Sequence, residues 1–163
     1  MTTSVTGKAI SPIRRIFRTN EFFYAKAFDG ISEADLLRRV GDEGNPLIWV
    51  AGHIPDTRFV VLKALGEAGS SPWGETFCRG SNIGDHYPPL AEILSTMTSV
   101  SERMNAALVA IDDERFWGLP SGIGLPNTKT LMDELSFLAW HESYHLGQIG
   151  YLRRALGYSC LMS

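Results

Sequence analysis

The run from Thr130 to Leu156 constrains this chain most. Leu131, Leu135, Leu138, His145, Ile149, Leu152 and Leu156 recur at helical spacing and make one continuous seam. Thr130 and Asp133 give a capping-box signal at its start, and Gly157 stops it. Such a helix is about 40 Å long. A seam of that length must be covered by other helices lying alongside.

Three further stretches can supply the cover. Ser11-Pro12 reads as a serine cap with proline in the first turn, followed by the stripe Ile13, Phe17, Tyr24 and Phe28, widened by Ile16, Phe23 and Ala27. Gly30 ends that helix. Asn45-Pro46 repeats the signal and opens a second long helix, Pro46 to Leu65, closed by Gly66. Pro89 starts a third, with Ile93, Met97, Val100, Met104 and Leu108 as its seam. Ser32 to Asp35 resembles a capping box for a short helix carrying Leu36, Leu37 and Val40. No convincing strand interrupts these helices. The expectation is an all-α single domain over residues 1–163, a four-helix bundle. A long crossover connection, residues 67–88, joins the second and third long helices, with Trp73, Phe77 and Tyr87 as apolar anchors. A second loop spans residues 111–129.

Composition narrows the function. The chain is 44% hydrophobic and 20% charged, as in ordinary globular domains, and its net charge of −3 disfavours nucleic-acid binding. Arg14, Arg15 and Arg18 read as a solvated face. No stretch is long and apolar enough to span a membrane, and the first residues lack a signal-peptide core. Cys78 and Cys160 have no metal or redox spacing and read as free thiols in a reducing compartment. A cytoplasmic protein with a small-molecule substrate is expected, and no nucleic-acid or membrane partner.

The chemistry concentrates in Trp140-His141-Glu142-Ser143-Tyr144-His145-Leu146-Gly147-Gln148. Residues four apart share one helical face, so His141 and His145 can aim at one point. Neutral imidazole is a good ligand for zinc, nickel, copper or iron. The string also matches His-Glu-x-x-His of the zincin proteases, with Glu142 as general base. That reading fails on ligand count: Leu146 to Ser163 contain no His, Asp or Glu, and Gln148 and Tyr151 stand where the extended motif needs Gly and His.

A third ligand must come from elsewhere. His53, in the middle of the second long helix, suits a bundle, which builds metal sites from facing helices. His86, in the crossover loop, is the rival. Gly52 beside His53 admits close approach of another helix or a ligand, and Pro55 removes a backbone donor within the helix. Glu142 falls in register with the apolar seam and needs a partner, either a metal cluster, a ring nitrogen or an arginine. Tyr144 and Glu142 are candidate proton carriers or orienting groups, and Gln148 can hydrogen-bond behind His145. Asn20 and Tyr24 can reach the interior, where a tyrosine commonly satisfies a backbone carbonyl. Arg79 is a candidate for meeting an anionic substrate.

Two segments, Trp49-Val50-Ala51-Gly52-His53-Ile54 and His141-Glu142-Ser143-Tyr144-His145-Leu146-Gly147-Gln148-Ile149, carry a resemblance to the DinB-like family of bacterial metal-binding four-helix bundles. It covers essentially the whole domain. The resemblance implies a divalent metal, zinc or nickel, held by His53, His141 and His145, and a homodimer. It also implies transferase or isomerase chemistry using a low-molecular-weight thiol such as bacillithiol or mycothiol. Three nitrogen ligands leave a coordination position open, as in catalytic sites. The leading expectation is a metal-dependent transferase that activates such a thiol, with Glu142 or Tyr144 carrying protons. A metal-dependent hydrolase and a non-catalytic, metal-stabilised stress or interaction protein are the alternatives.

Overall fold

The computed structural model describes residues 9–41, 44–78, 80–81 and 86–161. Its helices are α1 (Ser11–Lys26), α2 (Glu33–Leu37), α3 (Leu47–Ala64), α4 (Leu90–Ala110), α5 (Asp113–Trp117) and α6 (Leu131–Ala155), and no strand occurs among the described residues. The long helices α1, α3, α4 and α6 form the bundle. α3 lies against α4 and α6, and α1 against α6 and α4. The protein is thus the all-α four-helix bundle expected, with a long connection between α3 and α4.

Local signals account for most helix ends. The Thr130–Asp133 capping box is complete: the Thr130 hydroxyl accepts from the Asp133 amide while the Asp133 carboxylate accepts from the Thr130 amide. At the other end of α6, Gly157 takes φ +93°, and the Gly157 and Tyr158 amides donate to the carbonyls of Arg154 and Arg153. This Schellman ending needs a left-handed residue, which glycine supplies without strain.

Three expectations shift. Ser11 lies inside α1, with Ile10 at the cap position, and Asn45 stands one residue outside α3, whose cap position is Pro46. A proline has its φ set for a helix start either just before or within the first turn, so the dipeptide alone does not choose between them. The 111–129 stretch is not all loop. Asp112 accepts from the Arg115 amide and starts α5, which buries Phe116. At Ser32 the hydroxyl caps α2, but its amide donates to the Tyr158 hydroxyl rather than to Asp35, so the box is not closed.

The interior has two apolar clusters. One gathers Tyr24, Leu47, Trp49, Ile54, Phe77, Ile93, Leu146 and Ile149, and the other Phe17, Leu62, Met104, Leu108, Phe116, Leu131 and Leu135. A polar layer of Arg58, Ser101, Glu142 and Asn20, all buried, brings charge into this interior. Arg58, fully buried, clasps Glu142 through Nε and Nη2, both at 2.8 Å, and donates also to Ser101, to Glu21 at 3.3 Å and to the Phe17 carbonyl at 3.1 Å. Asn20 exchanges hydrogen bonds with the Ser143 hydroxyl at 2.9 and 3.2 Å, tying α1 to α6.

Pro55 lies within an α3 that runs on through it. Having no amide proton, it leaves the carbonyl of Ala51 without a helical donor. The Tyr24 hydroxyl donates to that carbonyl at 2.7 Å. Tyr24 therefore repairs the backbone of α3, and burial pushes its phenol pKa up, keeping it a donor.

Removing one member of a buried ion pair strands the other. Arg58→Met is expected to cost about 3–5 kcal/mol in urea unfolding. Adding Glu142→Leu to it recovers more than half, because the uncompensated carboxylate is then gone.

Candidate metal centre

α3 and α6 run antiparallel: Trp49 meets His145 near one end of their contact, and Arg58 meets Glu142 further along. His53 on α3 is thereby set opposite His141 and His145, one helical turn apart on α6. The three histidines offer ligand atoms that all lie within 4.8 Å of one another. Their ring centroids are 4.4 Å (His53–His145), 4.4 Å (His141–His145) and 5.2 Å (His53–His141) apart, and each pair meets edge to face.

Two of the three rings are held from behind by a hydrogen bond at Nδ1. The Nδ1 of His53 lies 2.7 Å from the carbonyl oxygen of Phe77, which can only accept. Nδ1 therefore carries the proton, and Nε2 presents its lone pair. The indole of Trp49 stacks on the same ring, 4.7 Å away and 13° from parallel. His145 Nδ1 lies 2.7 Å from the Gln148 amide oxygen, again leaving Nε2 as the lone-pair atom. Its Nε2 is 3.1 Å from Nε2 of His141. The Nδ1 of His141 is buried and has no hydrogen-bond partner among the described residues.

Gly52 explains how Phe77 arrives there. A Cβ on Gly52 would lie 2.0 Å from the Phe77 ring, so only glycine admits that ring against α3. The phenyl group is fully buried, edge-on to Trp73 and stacked with Tyr87. Further ties are the Trp73 indole to Glu92 and the Trp49 indole to Ser81. The close approach at Gly52 is thus made by Phe77 of the crossover loop rather than by a helix or a ligand, and the same phenylalanine delivers its carbonyl to His53.

Burial pulls the His53 and His145 pKa values down to about 4, with His145 adding to the effect on His53, and burial also lowers His141. All three rings are neutral near pH 7. That is the protonation state a metal ligand requires. The donor set, three neutral nitrogens with two Nε2 atoms fixed by hydrogen bonds at Nδ1, fits a borderline divalent ion such as zinc or nickel.

The remaining expected site residues fall in several places. Glu142 is buried one residue from His141, but both of its oxygens are occupied by Arg58, the ion-pair arrangement among its alternatives. Tyr144 is half exposed; its ring sits edge-on to His145 at 5.2 Å, and its hydroxyl accepts from the Gln148 side chain at 3.1 Å. Gln148 lies behind His145 as expected. His86 is exposed and outside the converging group found among the described residues. Arg79 lies outside the described residues. Cys78 and Cys160 are exposed and not joined by a disulfide. Among the described residues no helix is long and apolar enough to cross a membrane. The carbonyl of Phe77 and the stacking role of Trp49 were not legible in advance. The only sign of the first was the hole that Gly52 leaves beside His53.

The family model described as the DinB superfamily matches residues 23–149, which include all three histidines. This chain belongs to the DinB superfamily. Among solved structures it is similar to YfiT from Bacillus subtilis, described as a probable metal-dependent hydrolase with an unusual four-helix bundle topology. The TM-score is 0.68 at 18% identity, covering 98% of this chain and 94% of YfiT. At that identity the likeness establishes the shared fold. No curated protein matches the sequence. In this DinB-superfamily chain the fold and the three-histidine cluster therefore agree with each other.

The depressed histidine pKa values set a pH dependence. An unfolded chain binds these protons near pH 6.5 and the folded one only near 4, so the stability of the neutral rings is complete above pH 6.5 and is lost as pH falls toward 4. For metal-free protein, the unfolding free energy should fall through this window with a slope approaching about two protons. His145→Gln should flatten that slope by about one proton.

Proposed function

We propose that this protein is a metal-dependent enzyme in which His53, His141 and His145 hold one divalent ion and act on a small-molecule substrate. The observation that carries the reading is the convergence of three neutral imidazoles from two helices, with ligand atoms within 4.8 Å of one another. A zinc or nickel ion held by these three rings would supply Lewis acidity, lowering the pKa of a thiol or water beside it.

The chain's own residues perform the positioning. The Phe77 carbonyl and the Trp49 ring hold His53, and Gln148 holds His145, so the lone pairs face a common point before any ion arrives. Glu142, tied at both oxygens, holds α6 in register and leaves proton transfer to other groups. Tyr144, at the edge of the cluster, is the side chain placed to exchange a proton or a hydrogen bond with the substrate.

The first reading is transfer of a low-molecular-weight thiol onto a small electrophile. The second, hydrolysis, is favoured by the description of YfiT, which shares this fold. Both use the same three rings, and the nucleophile separates them. Protein purified with zinc or nickel should contain about one equivalent of metal, lost on His145→Ala with the helical circular dichroism retained. Gln148→Leu should weaken metal affinity about 10–100-fold, since it removes the group that orients His145. Turnover of a panel of electrophiles that requires added thiol supports transfer, and turnover in water alone supports hydrolysis. A protein that takes up no divalent ion overturns both. Chelation that lowers the melting temperature, with no turnover under either condition, leaves the ion a purely structural part.

A further inference from the structure

The three-histidine cluster does not end at its ligands. Along the outer edge of α6, Phe137, Trp140 and Tyr144 stand at helical spacing beside His141 and His145. Their rings form a connected series. Phe137 stacks on His141 at 6.0 Å and 23°, Phe137 meets Trp140 at 5.7 Å, Trp140 stacks on Tyr144 at 6.0 Å and 28°, and Tyr144 meets His145 at 5.2 Å. These rings remain open to solvent, 40% exposed at Phe137, 60% at Trp140 and 51% at Tyr144. Aromatic surface of this size is normally buried in a folded chain. Here it is left bare at the edge of the candidate centre.

A polar feature runs into the same shelf. Once Nε2 of His145 faces the cluster as a lone pair, its Nδ1 carries the proton and donates to the Gln148 amide oxygen at 2.7 Å. That places the Gln148 NH₂ group at the Tyr144 hydroxyl, which accepts from it at 3.1 Å. The phenol cannot return its own proton to an NH₂ group. Its O–H is therefore left to donate to another acceptor, at the Tyr144 end of the aromatic surface. The direction of the whole relay follows from which nitrogen of His145 serves as ligand.

We infer that Phe137, Trp140 and Tyr144 form the substrate shelf of the centre, and that it selects a planar aromatic or conjugated ligand with an oxygen acceptor, which the Tyr144 hydroxyl donates to. A flat unsaturated group can stack on Trp140 and Tyr144 while its polar end lies at the histidines. An aliphatic ligand of similar polarity reaches the same donor but gains little from the rings. The inference rests on the metal reading above, since it takes the histidines to be facing a ligand. A purely apolar partner surface fits less well, because it would leave the Tyr144 proton unmatched.

The test uses two metal-seeking probes that differ in one group, benzohydroxamate and acetohydroxamate, titrated calorimetrically into the zinc-loaded full-length protein. Zinc content is measured for every variant. Benzohydroxamate should bind about tenfold more tightly than acetohydroxamate. Trp140→Ala should bring the two affinities to within about twofold, mainly by weakening benzohydroxamate. Tyr144→Phe keeps the ring and should weaken both probes about five- to tenfold at unchanged zinc content. Equal binding of the two probes by the zinc-loaded parent protein overturns the inference and leaves the metal reading standing. So does a Trp140→Ala protein that keeps the preference for benzohydroxamate, and if self-association of the parent on sedimentation is lost with it, the shelf belongs to a second copy of the chain. Failure to take up zinc overturns the metal reading and the inference together.

Discussion

The bidentate pair between Arg58 and Glu142 is the interaction on which the other features depend. It joins α3 to α6 at a point where neither charge meets water, so each requires the other. A buried charge pair tolerates little sliding, whereas an apolar seam of leucines and isoleucines can shift by a turn at modest cost. Fixing Arg58 against Glu142 fixes the register of the two helices. His53, on the same helix as Arg58, then lies opposite His141 and His145, which flank Glu142. The ring cluster and the charged layer beside it join the same two helices.

Side chains from outside α3 twice make good a defect in that helix. Pro55 breaks the hydrogen-bond ladder of α3, and the Tyr24 hydroxyl from α1 replaces the lost donor. Gly52 opens a hole on the same helix, and the Phe77 ring fills it. The filling matters more than the repair, because the carbonyl of the inserted residue orients His53. A substitution at Gly52 would therefore act on the candidate centre through a loop distant in sequence. The connection between α3 and α4 is part of the site's support, which accounts for its length and its aromatic content.

Much of this was legible in the residues. Helical seams, the Thr130 capping box and the glycines directly after α3 and α6 mark out the bundle, because the 3.6-residue period and left-handed glycine endings are local properties, whereas α1 ends at Lys26, four residues before the Gly30 expected to close it. The pair His141 and His145 follows from spacing alone. His53 could be favoured over His86 because a bundle brings mid-helix residues together. The small errors have local causes too: a proline marks a helix start without saying whether it stands inside or outside, and α5 is too short to show a periodic stripe. Glu142 was ambiguous because a carboxylate on an apolar seam announces that it has a partner but not which one.

The sequence by itself determined the helical class, the long crossover and the presence of imidazoles at ligand spacing, since these depend on neighbours within a few positions along the chain. Only the tertiary structure decided that Arg58 claims both oxygens of Glu142, that Phe77 rather than a helix enters the gap at Gly52, and that Gln148 links His145 to Tyr144. Apart from the last, these are contacts between residues tens of positions apart. Even the Gln148 link, which is local, takes its direction from which ring nitrogen the distant His53 faces. Register and ring orientation are set by long-range burial and hydrogen bonding, and no local pattern encodes them.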